Sequence, residues 1–559
     1  MRTLGAGEAE CKIEVQGECM KSKQLAKDRQ AIEGELGRRL LLGETIVRNV
    51  HKFPHKEAVI YGKTRLTYKQ FNERINRLAH ALLDIGIKKG SKVAILSFNC
   101  NQFLEAYYAL GKIGGVAVPL NFRLHTEELA YMVHQSDAEA FIVGEPFVQT
   151  VKDMQKDLPQ VKKYISITEK PVKGMLNYEK WIAKYPDDEP LVLIDEDDPL
   201  FIMFTAGTTG RPKGAVITHK NEVVMWMLGG LYTFTDQGLG GKYQIRDFKS
   251  FAAPPIFHLA SFGFCQFNFF CGTTVVLPEE VFDPASIMRT IQEEKINAIV
   301  LIPAMANFLF LLPDIDKYDT SSLQVWLTGA AILPTETRRL IQKHFPNAHI
   351  LDLFGQTEMS PVVTGLLSSE SKGRETSVGR VLPFIVMRIV DDNDNEVPAG
   401  AVGEAVYRGP TVMKEYYKNP KATAEAMRGG WFHSGDLVRR DAEGYVYVVD
   451  RKKDMIISGG ENIYPAEIEE VLYSHPKILE CAVIGVFDEK WGESIKAVVV
   501  CKPGEQLDEQ EVIEYCKQHL ASYKKPRSAD FVDSLPRNTV GKVLKTVLRE
   551  QYGKSVRYK

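Results

Sequence analysis

The sequence predicts an α/β protein built from a large N-terminal domain of αβ-layered sheets, a β-rich subdomain and a small α+β C-terminal domain. Its 559 residues are too many for a single hydrophobic core, so we expect two or more domains. Over most of the chain, helical patterns alternate with short apolar runs, which is typical of largely parallel sheets covered by helices. From about residue 375, glycine, aspartate and short alternating runs predict strands joined by tight turns.

A charged break at 451–453 ends this β-rich region, and helical and strand patterns resume beyond it. The first residues are charged and weakly periodic, so we expect a flexible or helical extension, with ordered structure beginning near Thr45. The predicted division in chain order is an N-terminal extension 1–38, a large domain 39–450 with its β-rich subdomain at about 375–450, the break 451–453 and a small domain 454–559.

Periodicity predicts the individual elements of the large domain. Apolar residues fall on one helical face between Thr67 and Leu83, and Thr67 with Gln70 has the spacing of a capping box at the start of that helix. The run Lys92–Ser97 is typical of a buried strand, as is Leu200–Thr205. Further alternation of helix and strand is expected at 105–118, 128–144 and 284–303.

Composition argues against several classes of partner. The 70 basic and 72 acidic side chains give a net charge of −2, so the protein has no overall field to attract nucleic acid or an anionic membrane. The eight cysteines are scattered without a C-x-x-C cluster, which argues against zinc and favours reduced thiols. No run approaches the roughly 18 apolar residues of a spanning helix, and no signal-peptide core is present. We therefore expect a cytoplasmic protein that does not span a membrane.

A loop of small residues follows the strand Leu200–Thr205 and predicts a phosphate site. Its sequence over 206–214 is Ala-Gly-Thr-Thr-Gly-Arg-Pro-Lys-Gly. Small residues let backbone N–H groups turn towards a polyphosphate, while hydroxyls add donors and the lysine adds a positive charge. It is not a Walker loop, because the lysine lies between proline and glycine instead of preceding Ser or Thr. The candidate phosphate-binding residues are Thr205, Gly207, Thr208, Thr209, Gly210 and Lys213.

This loop resembles the signature loop of the adenylate-forming superfamily, which comprises acyl-CoA synthetases, luciferases and non-ribosomal peptide adenylation domains. The family usually has serine where this chain has Ala206. Further motifs of the family follow in the same order, so the resemblance extends from about residue 45 to 550. Those motifs are Leu327–Ala331, Asp352–Glu358, Trp431–Leu437, Arg451 and Pro536–Lys542.

The resemblance implies an ATP site. Phe354 would stack on adenine in place of the more common tyrosine, and Glu358 would meet Mg²⁺ together with Thr205. Lys542 would be the catalytic lysine of the C-terminal loop. The motifs Leu327–Ala331 and Asp352–Glu358 would surround the adenine, and Asp436 and Arg451 would bind the ribose. The implied nucleotide-binding residues are Gly329, Ala330, Ala331, Asp352, Phe354, Gly355, Gln356, Thr357, Asp436 and Arg451.

The C-terminal part resembles the CoA-binding part of benzoate-type ligases. Two glycines would let a pantetheine arm pass close to the backbone, and a tryptophan lies at a position that contacts CoA in those ligases. An aromatic residue and two cations alternate along 522–527, and in an extended stretch they would point the same way, towards an adenine and its phosphates. The implied CoA-binding residues are Gly459, Gly460, Trp491, Tyr523, Lys525 and Arg527.

The segment around His258 is expected to border the carboxylate substrate. Three roles are open for this histidine: gating the site, orienting the carboxylate, or packing as a structural residue. Peptide-synthetase adenylation domains have aspartate at this position, paired with an ammonium group, so its absence argues against amino acids. The aromatic neighbourhood favours an apolar acyl group, either a fatty chain or an aromatic or alicyclic acid such as benzoate or cyclohexanecarboxylate. Its members are Phe262, Phe264, Phe267, Phe269 and Phe270.

Together the motifs predict an AMP-forming acyl-CoA synthetase that uses ATP, Mg²⁺ and coenzyme A. The family's small domain is mobile, and the hinge here would be 451–453 with Lys453 as its hinge residue. The apparent CoA contacts argue against a luciferase-like oxygenase or a carrier-protein ligase. The joint presence of Lys542, Glu358 and Asp436 argues against a non-catalytic nucleotide sensor, and the non-Walker loop argues against a kinase. The expected partner is a small-molecule carboxylate, and the oligomeric state, with a homodimer among the options, is left open.

Overall fold

The computed structural model describes residues 27, 29–205, 212–234, 247–279, 282–537 and 543–553. The α-helices bounded within these ranges are α1 Leu42–Lys52, α2 Tyr68–Asp84, α3 Asn101–Ile113, α4 Thr126–Gln135, α5 Val148–Met154, α6 Tyr178–Ile182, α7 His219–Phe234, α8 Leu259–Cys271, α9 Pro284–Glu294, α10 Pro303–Leu309, α11 Thr335–His344, α12 Pro420–Ala426, α13 Pro465–Tyr473, α14 Glu509–His519 and α15 Lys545–Tyr552. None of the described helices is both long enough and apolar enough to cross a membrane.

The strands alternate with these helices along most of the chain. In chain order they are β1 Glu57–Tyr61, β2 Thr64–Thr67, β3 Lys92–Leu96, β4 Val116–Pro119, β5 Ala138–Gly144, β6 Lys163–Ile167, β7 Leu176–Asn177, β8 Pro199–Thr205, β9 Lys213–Thr218, β10 Lys249–Ala252, β11 Thr274–Leu277, β12 Ala298–Val300, β13 Val325–Gly329, β14 His349–Phe354, β15 Thr364–Leu366, β16 Arg380–Val381, β17 Val386–Val390, β18 Gly403–Arg408, β19 Glu415–Tyr416, β20 Phe432–Arg440, β21 Val446–Arg451, β22 Ile456–Ser458, β23 Glu461–Ile463, β24 Ile478–Asp488, β25 Gly492–Cys501 and β26 Ser528–Phe531.

Two large sheets dominate the fold. The first has the strand order β16-β15-β14-β13-β12-β10-β11-β1-β2 and the second has the order β19-β9-β8-β4-β3-β5-β6-β7. Strands β10 to β14 and β3 to β8 pair in parallel, and the antiparallel pairs lie towards the sheet edges. The prediction of an α/β fold with largely parallel sheets is confirmed.

Two smaller sheets follow in the C-terminal part of the chain. Strands β17, β18, β20 and β21 form an antiparallel sheet within the predicted β-rich region. The last sheet has the order β23-β22-β25-β24, with β26 beside β25, and helices α13, α14 and α15 pack on it. The two parts of the chain touch where the backbone N–H of Thr335 donates to Glu470 at 3.1 Å.

Helix α2 forms as its sequence predicts. The side chain of Thr67 accepts from the N–H of Gln70 at 3.2 Å, and the side chain of Gln70 accepts from the N–H of Thr67 at 2.9 Å. This capping box satisfies two N–H groups that the helix leaves unpaired at its start. The apolar face is fully buried and comprises Phe71, Ile75, Leu78, Ala79 and Leu82.

An aromatic layer joins the two large sheets. The ring of Phe262 on α8 stacks on Tyr107 of α3 with 3.9 Å between centroids. The edge of Phe201 on β8 meets Phe262 at 5.3 Å. All three side chains are fully buried, so helices α3 and α8 and strand β8 share one core.

Ordered structure begins earlier than predicted. Residues 29–36 are helical, and Leu36 and Leu41 are buried against Ile194. Arg39 donates to the backbone oxygen of Ile194 at 2.5 Å, and Arg29 pairs with Asp188 at 2.9 Å. The expectation of order from Thr45 is wrong, because a few apolar residues in a charged segment suffice to cover a patch formed far along the chain.

A buried lysine ties α3 to the segment that follows α6. Lys112 is 6% exposed, and its ammonium donates to Asn72 and Asn76 at 2.7 Å each and to Glu189 at 2.6 Å. Burial lowers the pKa of Lys112, and the neighbouring Glu189 opposes that shift. All three ammonium protons therefore have acceptors, which offsets the cost of burying the charge.

We expect Lys112→Met to lower the free energy of unfolding by about 3 kcal/mol, because it leaves the Glu189 carboxylate without its cation. The loss is measured as a shift of the thermal unfolding midpoint. The matched control is Lys477→Met, which removes an ion pair with Glu511 whose side chains are 35% and 47% exposed, and should cost less than about 1 kcal/mol. Equal shifts in the two variants would contradict the prediction.

Candidate active site

A cavity of about 690 Å³ lies where the parallel strands of the first large sheet end. Its lining includes residues at or just beyond the carboxyl ends of β10, β12, β13 and β14, the edge at which α/β sheets commonly bind ligands. Thr205 at the end of β8 adds the second sheet. Arg451, Lys453 and the segment Val543–Thr546 complete the wall, so the cavity receives residues from both large sheets and from the C-terminal part.

A buried carboxylate marks one end of this cavity. Glu358 is 8% exposed, and its Oε1 accepts from the hydroxyl of Thr205 at 3.2 Å and from that of Tyr416 at 2.8 Å. Burial, reinforced by Glu358, raises the pKa of Tyr416, which therefore remains a donor. The ammonium of Lys213 lies 5.3 Å from the centroid of the Tyr416 ring. The structure thus brings Thr205, Lys213 and Glu358 together, and it adds Tyr416, for which the sequence offers no motif.

The oxygen donors of Glu358 and Thr205 are of the kind that binds magnesium. No group of three or more His, Cys, Asp or Glu side chains in the described part of the chain could hold an ion by itself. Magnesium, however, is usually held by one or two carboxylates together with substrate phosphates and water. Glu358 beside the Thr205 hydroxyl meets that requirement.

Two predicted groups lie outside the described residues. They are Gly207, Thr208, Thr209 and Gly210 of the phosphate loop, and the lysine Lys542. Their described neighbours lie at the cavity, because Thr205, Pro212, Arg537 and Val543 all line it.

The motif after β13 forms a close-packed part of the wall. Gly329 and Ala330 line the cavity, and a Cβ on Gly329 would lie 2.5 Å from the backbone oxygen of Leu353. A Cβ on Gly355 would lie 2.3 Å from the backbone oxygen of Pro361. Only glycine therefore fits at these two positions. Gln356 and Thr357 also line the cavity.

Ala331, Asp352 and Phe354 are not among the residues that line the cavity. Side chains alternate along a strand, and Leu353 faces the cavity, so Asp352 and Phe354 point to the other side of β14. Asp352 pairs there with Arg338 at 3.0 Å, and burial, partly offset by that arginine, raises the pKa of Asp352 to about 6. Contact of these three residues with a nucleotide stays a prediction.

An aspartate and an arginine pair across strands β20 and β21. Asp436 and Arg451 are opposite residues in the register, and the arginine Nε lies 2.5 Å from Asp436 Oδ1. Burial disfavours the charge of Arg451, but Asp436 and Glu358 together raise its pKa. The predicted ribose-binding pair is thus preassembled, and Arg451 also lines the cavity.

His258 is both a helix cap and part of the cavity wall. It precedes α8, and its Nδ1 accepts from the backbone N–H of Ala260 at 3.3 Å. Burial lowers the pKa of His258 to about 4, so the ring is neutral at pH 7. Because Nδ1 accepts, the proton of the neutral ring is on Nε2. The structural role is observed, while gating or carboxylate binding stays a prediction.

The aromatic run after His258 is mostly core. Phe264 lines the cavity, whereas Phe262 and Phe269 are fully buried in the core and Phe270 is 42% exposed. A helix presents only one face to any cavity, so consecutive aromatic residues on α8 necessarily diverge. Phe257, in the segment expected to border the substrate, does line the cavity. No sequence pattern indicated the rest of the apolar wall, which is formed by residues far apart in the chain: Trp226, Val300, Ile302, Met305 and Phe308.

The structure brings only some of the predicted CoA-binding residues close to one another. Gly459 donates its N–H to the backbone oxygen of Trp491 at 2.8 Å, and the guanidinium of Arg527 lies 4.9 Å from the Trp491 ring centroid. The positive φ angles of Gly459 and Gly460, 62° and 89°, suit glycine.

The condition that 522–527 is extended is not met throughout the stretch. Residues Ser522–Lys524 form a 3-10 turn, and Lys525 follows with extended backbone. The turn places Tyr523 in an exposed position, while its neighbour Lys524 binds Glu467 at 2.6 Å. Strict alternation of Tyr523, Lys525 and Arg527 on one side therefore does not hold, and their contact with CoA stays a prediction.

The sequence matches the family model of AMP-binding enzymes over residues 46–417 and the model of the AMP-binding enzyme C-terminal domain over 467–542. The chain belongs to the AMP-binding enzyme family. It is 37% identical over 515 residues to a feruloyl-CoA synthase of an Amycolatopsis species, covering 92% of this chain and 99% of that protein. It is 36% identical over 509 residues to a long-chain-fatty-acid–CoA ligase of Mycobacterium tuberculosis, covering 90% and 97%.

A solved member of the family has the same fold. The crystal structure of an anthranilate CoA ligase in complex with anthranoyl-AMP gives a TM-score of 0.85 at 25% identity, covering 92% of this chain and 97% of that one. These relatives confirm the predicted superfamily, its CoA-ligase branch and the reaction class of an AMP-forming acid–thiol ligase.

We expect His258→Asn to make the protein less sensitive to acid. The pKa of His258 is lower in the folded state than in the unfolded chain, so between pH 6.5 and 5 only the unfolded state takes up this proton and stability falls. Asparagine keeps a capping acceptor and does not titrate. The drop in melting temperature from pH 7 to pH 5 should be smaller by about 2 to 4 °C than in the wild type. An identical drop would contradict the prediction; His519→Asn, at an exposed position, is the control.

Proposed function

We propose that the cavity activates an apolar carboxylic acid with ATP and then transfers the acyl group to coenzyme A. The observation that carries the proposal is one cavity with both a polar end and an apolar wall. At the polar end Glu358 meets Thr205, and Arg451 lines the cavity while pairing with Asp436 behind it. A polar end of this kind suits a nucleotide and its phosphates, and the apolar wall suits a carboxylic acid without charges on its body.

The proposed chemistry overcomes the poor reactivity of a carboxylate. A carboxylate oxygen attacks the α-phosphorus of ATP, a new O–P bond forms and pyrophosphate leaves. The thiol of CoA then attacks the carbonyl carbon of the acyl-adenylate, loses its proton and expels AMP. Both steps bring negative charges together, so positively charged groups and donors fixed in advance around the phosphates accelerate them.

The residues of the polar end have distinct proposed roles. Asp436 accepts from the ribose hydroxyls while Arg451 holds it in place. Glu358 and Thr205 would hold Mg²⁺, which would supply charge neutralisation at the phosphates. Lys213 and the loop residues 207–210 bind the polyphosphate. Lys542 is proposed to meet the reacting carboxylate and α-phosphate, which is supported by the position of the next residue, Val543, in the cavity wall.

The proposed acid has an apolar body, aromatic or aliphatic. Relatives named for ferulate, long-chain fatty acids and indoleacetate share that property. In this chain the wall supplies Trp226, Phe264, Ile302 and Met305, none of which carries a charge that could pair with a charged acid. We also propose that the enzyme is cytoplasmic, which is supported by the free thiol state of every cysteine in the described ranges.

The test is an assay with ATP, Mg²⁺, CoA and a panel of acids: benzoate, cyclohexanecarboxylate, ferulate, indoleacetate and straight-chain acids from butanoate to hexadecanoate. Release of AMP and pyrophosphate with formation of the acyl-CoA is expected for at least one acid. Lys542→Ala should lower the rate of adenylate formation by about 100-fold or more, as does removal of a residue that stabilises developing charge. Release of ADP or phosphate, or no turnover with any acid, would overturn the proposal.

A second prediction concerns the hinge. Lys453 is exposed at the cavity edge, two residues after Arg451. We expect Lys453→Pro, which restricts backbone rotation at this residue, to block thioester formation and leave adenylate formation, measured by pyrophosphate exchange, within about 3-fold of the wild type. Lys453→Ala keeps the backbone free and should support both half-reactions. Loss of both half-reactions in the proline variant would contradict a hinge role.

A further inference from the structure

One wall of the cavity is formed by an indole ring that packs against a glycine. Trp226 of α7 lines the cavity and is 7% exposed. Its ring lies over Gly263 of α8 so closely that a Cβ there would be 2.1 Å from Trp226 Cζ2. Phe267, one turn further along α8, packs against the same ring at 6.2 Å between centroids. The indole therefore occupies this position only because α8 has no side chain at residue 263.

The polar edge of the indole is fixed by a buried carboxyl group. Glu222 lies one turn before Trp226 on α7 and is fully buried. Its Oε1 accepts from the indole N–H at 2.7 Å, while Oε2 has no hydrogen-bond partner within the described residues. Burial raises the pKa of Glu222 to about 8, an effect that the bond to Trp226 only partly opposes. Burying a carboxyl group with one oxygen unpaired lowers the stability of the fold. Its hydrogen bond to the indole is therefore the interaction that explains why a glutamate lies here.

Trp226 lies on the acid side of the cavity. Its ring contacts are on α8, the helix that begins directly after His258. The nucleotide residues Glu358 and Arg451 come instead from the turn after β14 and from the end of β21. The indole thus faces the space into which the body of an acid would extend.

We propose that Trp226 is the end wall of the acyl pocket and that Glu222 is a positioning residue that fixes the orientation of this wall. The inference rests on the proposed function. An indole turns about two side-chain bonds, and the hydrogen bond at its edge together with the glycine beneath its face leaves it one orientation. A wall that cannot turn aside rejects acids longer or wider than the pocket, since each methylene group that fails to fit changes kcat/KM by about 10-fold or more.

The first experiment removes the wall. Trp226→Ala should raise kcat/KM for the longest straight-chain acids relative to the shortest by about 10-fold or more, across the series from butanoate to hexadecanoate. The KM values for ATP and CoA should not change, because the residues proposed to bind them lie on other elements than Trp226. An unchanged ratio of long to short acids in a folded, active variant would overturn the proposal.

The second experiment separates positioning from structural support. Glu222→Leu removes the acceptor and should broaden the choice of acids and raise their KM, while Glu222→Gln keeps an acceptor oxygen and should restore the wild-type selectivity. In a Trp226→Phe background, which lacks the N–H donor, Glu222→Leu should have no further effect on selectivity. Equal effects of the leucine and glutamine variants, or the same effect in both backgrounds, would show that Glu222 is merely structural.

A variant with an intact carboxyl group covers the case in which Glu222→Leu does not fold. Gly263→Ala displaces the indole and leaves Glu222 in place, and it should alter the ratio of long to short acids. If this variant folds and keeps the wild-type ratio, the proposal is wrong. A different result would refute the proposed function: a wild-type enzyme that turns over no acid. An active ligase whose selectivity is unchanged in every variant would refute only the role of Trp226 and Glu222.

Discussion

The mutual packing of Phe262, Tyr107 and Phe201 sets the geometry on which the site depends. Phe262 lies one turn after His258, and Phe201 lies four residues before Thr205. Because a core packs as densely as an organic crystal, these rings fix the separation between α8 and β8. The proposed acid side and the proposed phosphate side of the cavity are therefore positioned by rings that are not part of the cavity lining.

Within that frame, the polar residues of the cavity are arranged before any substrate arrives. Glu358 is held by two hydroxyl donors, and Arg451 is held by Asp436. Each buried charge has a partner, which keeps the cost of desolvation moderate. Fixed charges of this kind need not reorganise during a reaction, which is the main source of electrostatic catalysis.

Local features of the fold could be predicted from the sequence, whereas long-range features could not. The α2 capping box and the strand before Thr205 depend on neighbouring residues, and both are found where periodicity and spacing place them. Tyr416 and Trp226 reach the cavity through sheet topology and helix packing, and no local pattern encodes that. The face on which Asp352 lies depends on which residue of β14 opens to the cavity, so a motif located correctly still leaves the orientation of its side chains open.

The early start of the ordered chain has a practical consequence. The backbone N–H of Leu42, at the start of α1, donates to Nδ1 of the buried His219, the first residue of the helix that carries Glu222 and Trp226. A shortened protein beginning at residue 46, where the family match begins, would lose this anchor and would expose Ile194 to water. Such trimming, a common step in preparing enzymes for crystallisation or biotechnology, would weaken solubility and loosen the support of the indole at once.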